Sequence, residues 1–196
     1  MAPKLQPGLF ETASELPSGV SYLPRVVSDE ESRALIPRFE TLPFKPFAFH
    51  GYFASRRIVS FGWRYDYAER ALRESDPVPE FLQPLRAKAA ALASLVPEGL
   101  EQVLVTEYAP GAGIGWHRDK PMFENVIALS FLSPCLLRFR VKQGTGWKRS
   151  SFSIDPGSAY LLGGPARREW EHSIPPGTSL RYSVTFRDFT PSKCHQ

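Results

Sequence analysis

Arg181-Tyr182-Ser183-Val184-Thr185-Phe186-Arg187 alternates along its whole length. At a period of two, Arg181, Ser183, Thr185 and Arg187 share one face of a strand, and Tyr182, Val184 and Phe186 share the other. The apolar face reads as the side of a sheet turned to a core. The polar face carries two cations and two hydroxyls. Inside a barrel those arginines need partners, because a buried unpaired charge is costly. A dicarboxylate would satisfy them, since a guanidinium fork matches a carboxylate. The competing reading is a solvated edge strand with both arginines in water. His172, a short way upstream in another strand, favours the bound dicarboxylate.

Working outward, residues 103–108, 126–132, 136–141, 151–154, 159–162, 171–174 and 180–186 form short apolar or alternating runs separated by turn residues. That rhythm belongs to an antiparallel sandwich or jelly roll. Two helices precede it. Ser28 followed by Asp29, Glu30 and Glu31 is a capping box, opening a helix to about Phe39 with Pro37 limiting its last turn. Pro79 opens the second, over 79–95, with Phe81, Leu82, Leu85, Ala89, Leu92 and Leu95 near one face. The expected fold is mostly β with flanking helices (α+β), the helices packed on one sheet of a jelly-roll core. Residues 1–20 read as a loosely ordered segment, 21–190 as the folded domain and 191–196 as a polar tail.

A chain of 196 residues suits one domain. Its 42% hydrophobic content can fill a sizeable core, and its 19 prolines suit strands and turns better than a bundle. The net charge of +4 fits a polyanionic partner or ordinary solubility equally well. Cys135 lies in an apolar run and Cys194 in the tail, which does not make a disulfide scaffold. No apolar run reaches the roughly 18 residues of a spanning helix, and the first ten residues lack a signal pattern. A monomer in the reducing cytoplasm, with no membrane contact, is the expected state.

Trp116-His117-Arg118-Asp119 contains His-x-Asp. On an extended segment His117 and Asp119 point to the same side and can meet one ion. With His172 they make two imidazoles and a carboxylate. Such a facial triad suits Fe(II) and leaves positions open for a cosubstrate and oxygen. His50 and His195 read as surface and tail residues.

Four pieces now stand in order: Glu107-Tyr108-Ala109-Pro110-Gly111, Trp116-His117-Arg118-Asp119-Lys120, Glu171-His172-Ser173-Ile174, and the arginine strand. Together they resemble the AlkB-like family of Fe(II)/2-oxoglutarate-dependent dioxygenases, well over 103–189 and more loosely over 47–67. The resemblance implies a double-stranded β-helix, with iron held by His117, Asp119 and His172. It implies that Arg181 pairs with the distal carboxylate of 2-oxoglutarate, that Tyr108 donates a hydrogen bond to it, and that Arg187 lies nearer the keto-acid end. It implies oxidative dealkylation of a base in DNA or RNA: 2-oxoglutarate and O2 are consumed, succinate forms, and a hydroxylated N-alkyl group departs as an aldehyde. Thr106 and Ser183 stand where the family often has asparagine. Pro121 stands where the founding type has a second acid that helps read the base.

For the substrate, Arg56, Arg57, Phe61, Trp63 and Tyr65 interleave cations and rings, as a phosphate chain and an extruded base would require. Phe61, Trp63 and Tyr65 at period two could share a face. The same residues could equally be a half-buried strand. Arg138 and Arg140 could line the groove or a solvated outer face. The substrate expected is a single-stranded nucleic acid; the alternative is a protein side chain or small molecule.

Overall fold

The computed structural model describes residues 16–49, 52–66 and 69–190. His50, Cys194, His195, residues 1–15 and the tail 191–196 lie outside them. Among the described residues, thirteen strands and three α-helices follow one another. They are β1 (Val20–Leu23), α1 (Asp29–Glu40), β2 (Lys45–Phe49), β3 (Tyr52–Phe61), β4 (Trp63–Asp66), β5 (Ala71–Glu74), α2 (Gln83–Ala93), β6 (Gln102–Tyr108), β7 (Ile114–His117), β8 (Phe123–Phe131), β9 (Cys135–Gln143), β10 (Gly146–Ile154), β11 (Ala159–Leu162), α3 (Gly164–Arg168), β12 (Glu171–Ile174) and β13 (Arg181–Phe189).

A seven-stranded sheet runs β1-β11-β8-β13-β6-β3-β2, and a four-stranded sheet runs β10-β9-β12-β7. The described pairs are antiparallel, and β4 and β5 form a small separate hairpin. This is the expected mostly β jelly roll with flanking helices. Between the sheets, Val126, Ala128 and Leu162 meet Leu137, Phe139, Ile154 and Ile174. On the other side of the large sheet, Phe39, Leu82, Leu85 and Ala89 pack on Val105, Leu129, Phe131, Tyr182, Val184 and Phe186. The Phe39 ring lies 5.0 Å from Phe131 and 5.5 Å from Tyr182. Both helices therefore cover one sheet, and the apolar face of β13 is their floor.

The capping box forms: Ser28 Oγ accepts from Glu31 N–H at 3.1 Å, and Glu31 Oε2 accepts from Ser28 N–H at 2.8 Å. Pro37 does not stop α1, which continues to Glu40. The second helical segment starts as a 3-10 turn, Glu80–Leu82, and stops at Ser94, whose φ of 54° is left-handed. The expected strands 159–162 and 171–174 keep their bounds. Others lengthen; β10, for instance, begins at Gly146 because its ladder with β9 continues past the apolar run. Strands β3 and β4 divide at Gly62 the stretch around Phe61, Trp63 and Tyr65 that reads as one possible strand, while β2, β5 and the five-residue α3 have no clear apolar period and are not expected from the sequence.

Candidate active site

His117 ends β7, and His172 lies in β12 as its direct cross-strand partner. Register thus brings together two imidazoles far apart in sequence, with ring centroids 4.2 Å apart. Asp119, just past β7, points to the same side, its Oδ2 lying 3.5 Å from His172 Nε2. One ligand atom from each of His117, Asp119 and His172 lies within 4.8 Å of the others. The donor set is two nitrogens and an oxygen on one side of a centre, which fits a ferrous ion with open positions.

The surrounding groups orient these donors. His117 Nδ1 donates to the Gly115 carbonyl at 2.9 Å. A carbonyl can only accept, so in the neutral imidazole the proton is on Nδ1 and Nε2 carries the lone pair. Arg187 donates to Asp119 Oδ1 through Nε at 3.1 Å and Nη2 at 2.8 Å, and to Gln102 Oε1 through Nη1 at 2.7 Å. Burial works to raise the Asp119 carboxyl, but Arg187 and the two imidazoles outweigh it and hold it below the usual carboxylate range. Burial, then the neighbouring His117, push His172 down to about 3 against the pull of Asp119. Both groups are thus in the deprotonated form that a metal needs.

Arg181 begins β13 opposite Tyr108 of β6. It is 3% exposed, and its Nε donates to Ser130 Oγ at 2.9 Å. Its Cζ lies 4.9 Å from the centre of the Tyr108 ring. Nη1 and Nη2 are buried with no hydrogen-bond partner among the described residues. A buried guanidinium with an open fork is costly as it stands, and a carboxylate is the group that fits it. Thr106, Ser183, Thr185 and Tyr108 line a cavity of about 1060 Å³ that also holds the His117–Asp119–His172 cluster. The polar face of β13 thus turns inward, not to solvent.

The family model described as the 2OG-Fe(II) oxygenase superfamily matches residues 19–187, most of the chain. The chain belongs to that superfamily. This oxygenase is therefore an Fe(II)/2-oxoglutarate-dependent dioxygenase, using O2 with the keto acid. It is 30% identical over 149 residues to the "Alkylated DNA repair protein ALKBH8 homolog" of Arabidopsis thaliana, spanning 62% of this chain and 42% of that protein, less than half of it. It is 31% identical over 153 residues to an uncharacterised protein of Acanthamoeba polyphaga mimivirus, covering 70% and 72% of the two chains. The solved structure of OsALKBH1 superposes with a TM-score of 0.72 at 17% identity, over 89% of this chain and 98% of the other. A Pseudomonas putida prolyl-4-hydroxylase superposes at 0.63 and 16% identity, over 88% and 93%. These two share the jelly-roll fold with this chain, and the likeness to an AlkB-type sequence comes from the Arabidopsis relative.

The expected substrate residues separate into two groups. Arg56 and Tyr65 line the cavity, with Arg56 Cζ 4.1 Å from the Phe47 ring and Lys120 Nζ 4.3 Å from that of Tyr65. Arg57 and Phe61 do not. Strand alternation turns them to the helix side, where Phe61 joins the core and Arg57 donates to both oxygens of Glu107 at 2.7 and 2.8 Å. Nor does period two carry from Phe61 to Tyr65. Gly62, with φ +71°, breaks the strand, and a Cβ there would lie 2.0 Å from the Glu101 carbonyl oxygen. Trp63 packs edge-on against Phe189 at 6.0 Å and is not among the residues of the cavity wall. Arg138 and Arg140 belong to the outer face of β9, stacked on Trp116. The sequence reading missed Gln102, Ser130, Tyr160 and Arg167. Gln102 and Ser130 carry no signal of their own, only that of being cross-strand partners of Arg187 and Ser183.

Proposed function

We propose that this oxygenase removes alkyl groups oxidatively from bases of single-stranded DNA or RNA, with His117, Asp119 and His172 as the iron ligands. The observation carrying the proposal is the composition of the cavity wall. Around the ligand cluster stand the cations Arg56, Lys120 and Arg168 and the ring of Tyr65, with Trp116 at the rim. Cations suit phosphates and flat rings suit an unstacked base.

Bound Fe(II) with 2-oxoglutarate and O2 supplies an oxidant able to hydroxylate a C–H bond beside nitrogen. The chain's own groups prepare that step. Arg181 receives the distal carboxylate of 2-oxoglutarate in its open fork, with Tyr108 beside it. Ser183 and Thr106, cross-strand partners in the wall, offer hydroxyls along the same channel. Arg187 holds Asp119 by one oxygen and leaves the other for the metal. The Gly115 carbonyl fixes the tautomer of His117.

Pro121 puts no carboxylate at its place in the wall, so one acid that could read a base is missing. This gives hydroxylation of a protein side chain or small molecule its footing as the second reading. Mass spectrometry of a pool of methylated oligonucleotides, incubated with enzyme, Fe(II), 2-oxoglutarate and ascorbate, separates the two. Loss of a methyl group from at least one member supports the nucleic-acid reading. An untouched pool, with 2-oxoglutarate still consumed, moves the assignment to the second.

A further inference from the structure

The inner face of the four-stranded sheet carries the ligand cluster. Its outer face carries chemistry that the cavity does not use. Register fixes which residues share it: Trp147 pairs with Lys142, Arg149 with Arg140 and Ser151 with Arg138, and Glu171 and Ser173 of β12 follow across the next ladder. Trp116, beside His117 on the edge strand β7, points the same way, since Arg138 and Arg140 both lie over its ring. The Arg140 guanidinium is between two indoles, 4.6 Å from the centre of Trp116 and 4.2 Å from that of Trp147. Glu171 pairs with it at 2.5 Å. Arg140 is thereby spent on holding the two rings in place. Arg138, Lys142 and Arg149 have no carboxylate partner among the described residues. A shallow depression of about 200 Å³ lies between Trp116, Arg138, Arg149 and Ser151.

Trp116 borders both this depression and the active cavity. The outer face is therefore continuous with the cavity mouth around the sheet edge. From β7 to β10 is three strand spacings, roughly 14 Å, enough for a few linked residues of an extended polymer. Three cations without a carboxylate partner among the described residues, Arg138 bonded to Ser173 Oγ and Lys142 to the Thr145 carbonyl, and two fixed indoles along that line match a chain with repeated negative charge and flat rings. We propose that this outer face is a docking track for the flanking phosphodiester chain of a single-stranded polynucleotide whose target base occupies the cavity. The proposal rests on the nucleic-acid reading of the cavity, and it adds a second surface that sets affinity for long substrates.

The test compares a methylated trinucleotide with a twenty-residue strand carrying the same base, by fluorescence anisotropy, on wild type and on a Lys142→Ala/Arg149→Ala double variant. The long strand should bind wild type more tightly than the short one. The double variant should lose roughly tenfold in affinity for the long strand near physiological salt, and on the order of one to two units of salt slope, as for two lost single-strand phosphate contacts. Trp147→Ala should weaken long-strand binding with the slope kept, because stacking carries no net charge. Equal long-strand affinity in wild type and double variant overturns the track while leaving the cavity reading intact. A wild type that binds neither strand overturns both. Should the double variant lose only binding to phosphatidylserine vesicles, the face serves a membrane surface and the track is wrong.

Discussion

Arg187 links three parts of the site, donating to Asp119 past β7 and to Gln102 on β6 from its own place on β13. It is a positioning residue for the carboxylate. Arg187→Lys keeps the charge but loses the fork. Fe(II) affinity should fall about 10–100-fold, as for other groups that orient metal ligands, measured by metal titration on a folded variant; unchanged affinity would mean that Asp119 needs no such hold. Arg181→Lys should weaken 2-oxoglutarate binding by about 1–3 kcal/mol, read as a raised KM for the keto acid with the melting curve retained. An unaltered KM excludes Arg181 as its anchor. His172 gives a pH signature. Its folded pKa, about 3, lies below its usual 6.5, so the unfolded chain binds the extra proton between those values. Stability of the metal-free protein should therefore drop as pH falls from 6.5 toward 3, by at most about 1.4 kcal/mol per pH unit from this one proton. Urea midpoints across that range check it, and a His172→Gln variant should flatten the slope.

At the scale of elements, α1 is held by its cap and by Lys88 of α2, whose Nζ donates to both Glu31 oxygens at 2.7 Å and to the Val26 carbonyl at 2.9 Å. Ser28→Ala should cost about 1 kcal/mol of stability, seen as a lower urea midpoint with normal 2-oxoglutarate turnover. Gly62→Ala is harsher. It meets both a positive φ and the Glu101 carbonyl oxygen, so about 2–4 kcal/mol should go, and a variant as stable as the parent would show that the β3–β4 junction can relax. These two positions also show what a sequence reveals of elements. The cap is a local pattern, and it was legible. The break at Gly62 depends on a chain segment forty residues away coming close, and period two alone carried the reading wrongly through Phe61 to Tyr65. Strand β13 was legible because burial acts on both of its faces, one apolar against the helices and one polar against the cavity.

Across the whole molecule, one sheet brings His117 and His172 together on neighbouring strands, and the other carries Arg181, the proposed cosubstrate anchor. The cluster of His117, Asp119 and His172 could be read from spacing and residue type, because His-x-Asp on an extended segment sends both side chains to one side and a later strand carries the second histidine. The substrate wall could not. Which of Arg56 and Arg57 faces inward is decided by register with β6, where Arg56 pairs with Tyr108 and Arg57 with Glu107, and Glu107 then captures Arg57 on the far side. Lys120 and Arg168 came to the mouth through a loop and a five-residue helix that no periodicity announces. In the proposed reaction this cavity couples 2-oxoglutarate turnover to an alkylated base. The direct measurement is succinate formation with a methylated oligonucleotide, against the same strand unmethylated, for wild type and Asp119→Ala. Wild type should form succinate faster with the methylated strand than with the unmethylated one, and the variant should form none above background. Equal rates with both strands, or turnover surviving in Asp119→Ala, would contradict the proposed reaction.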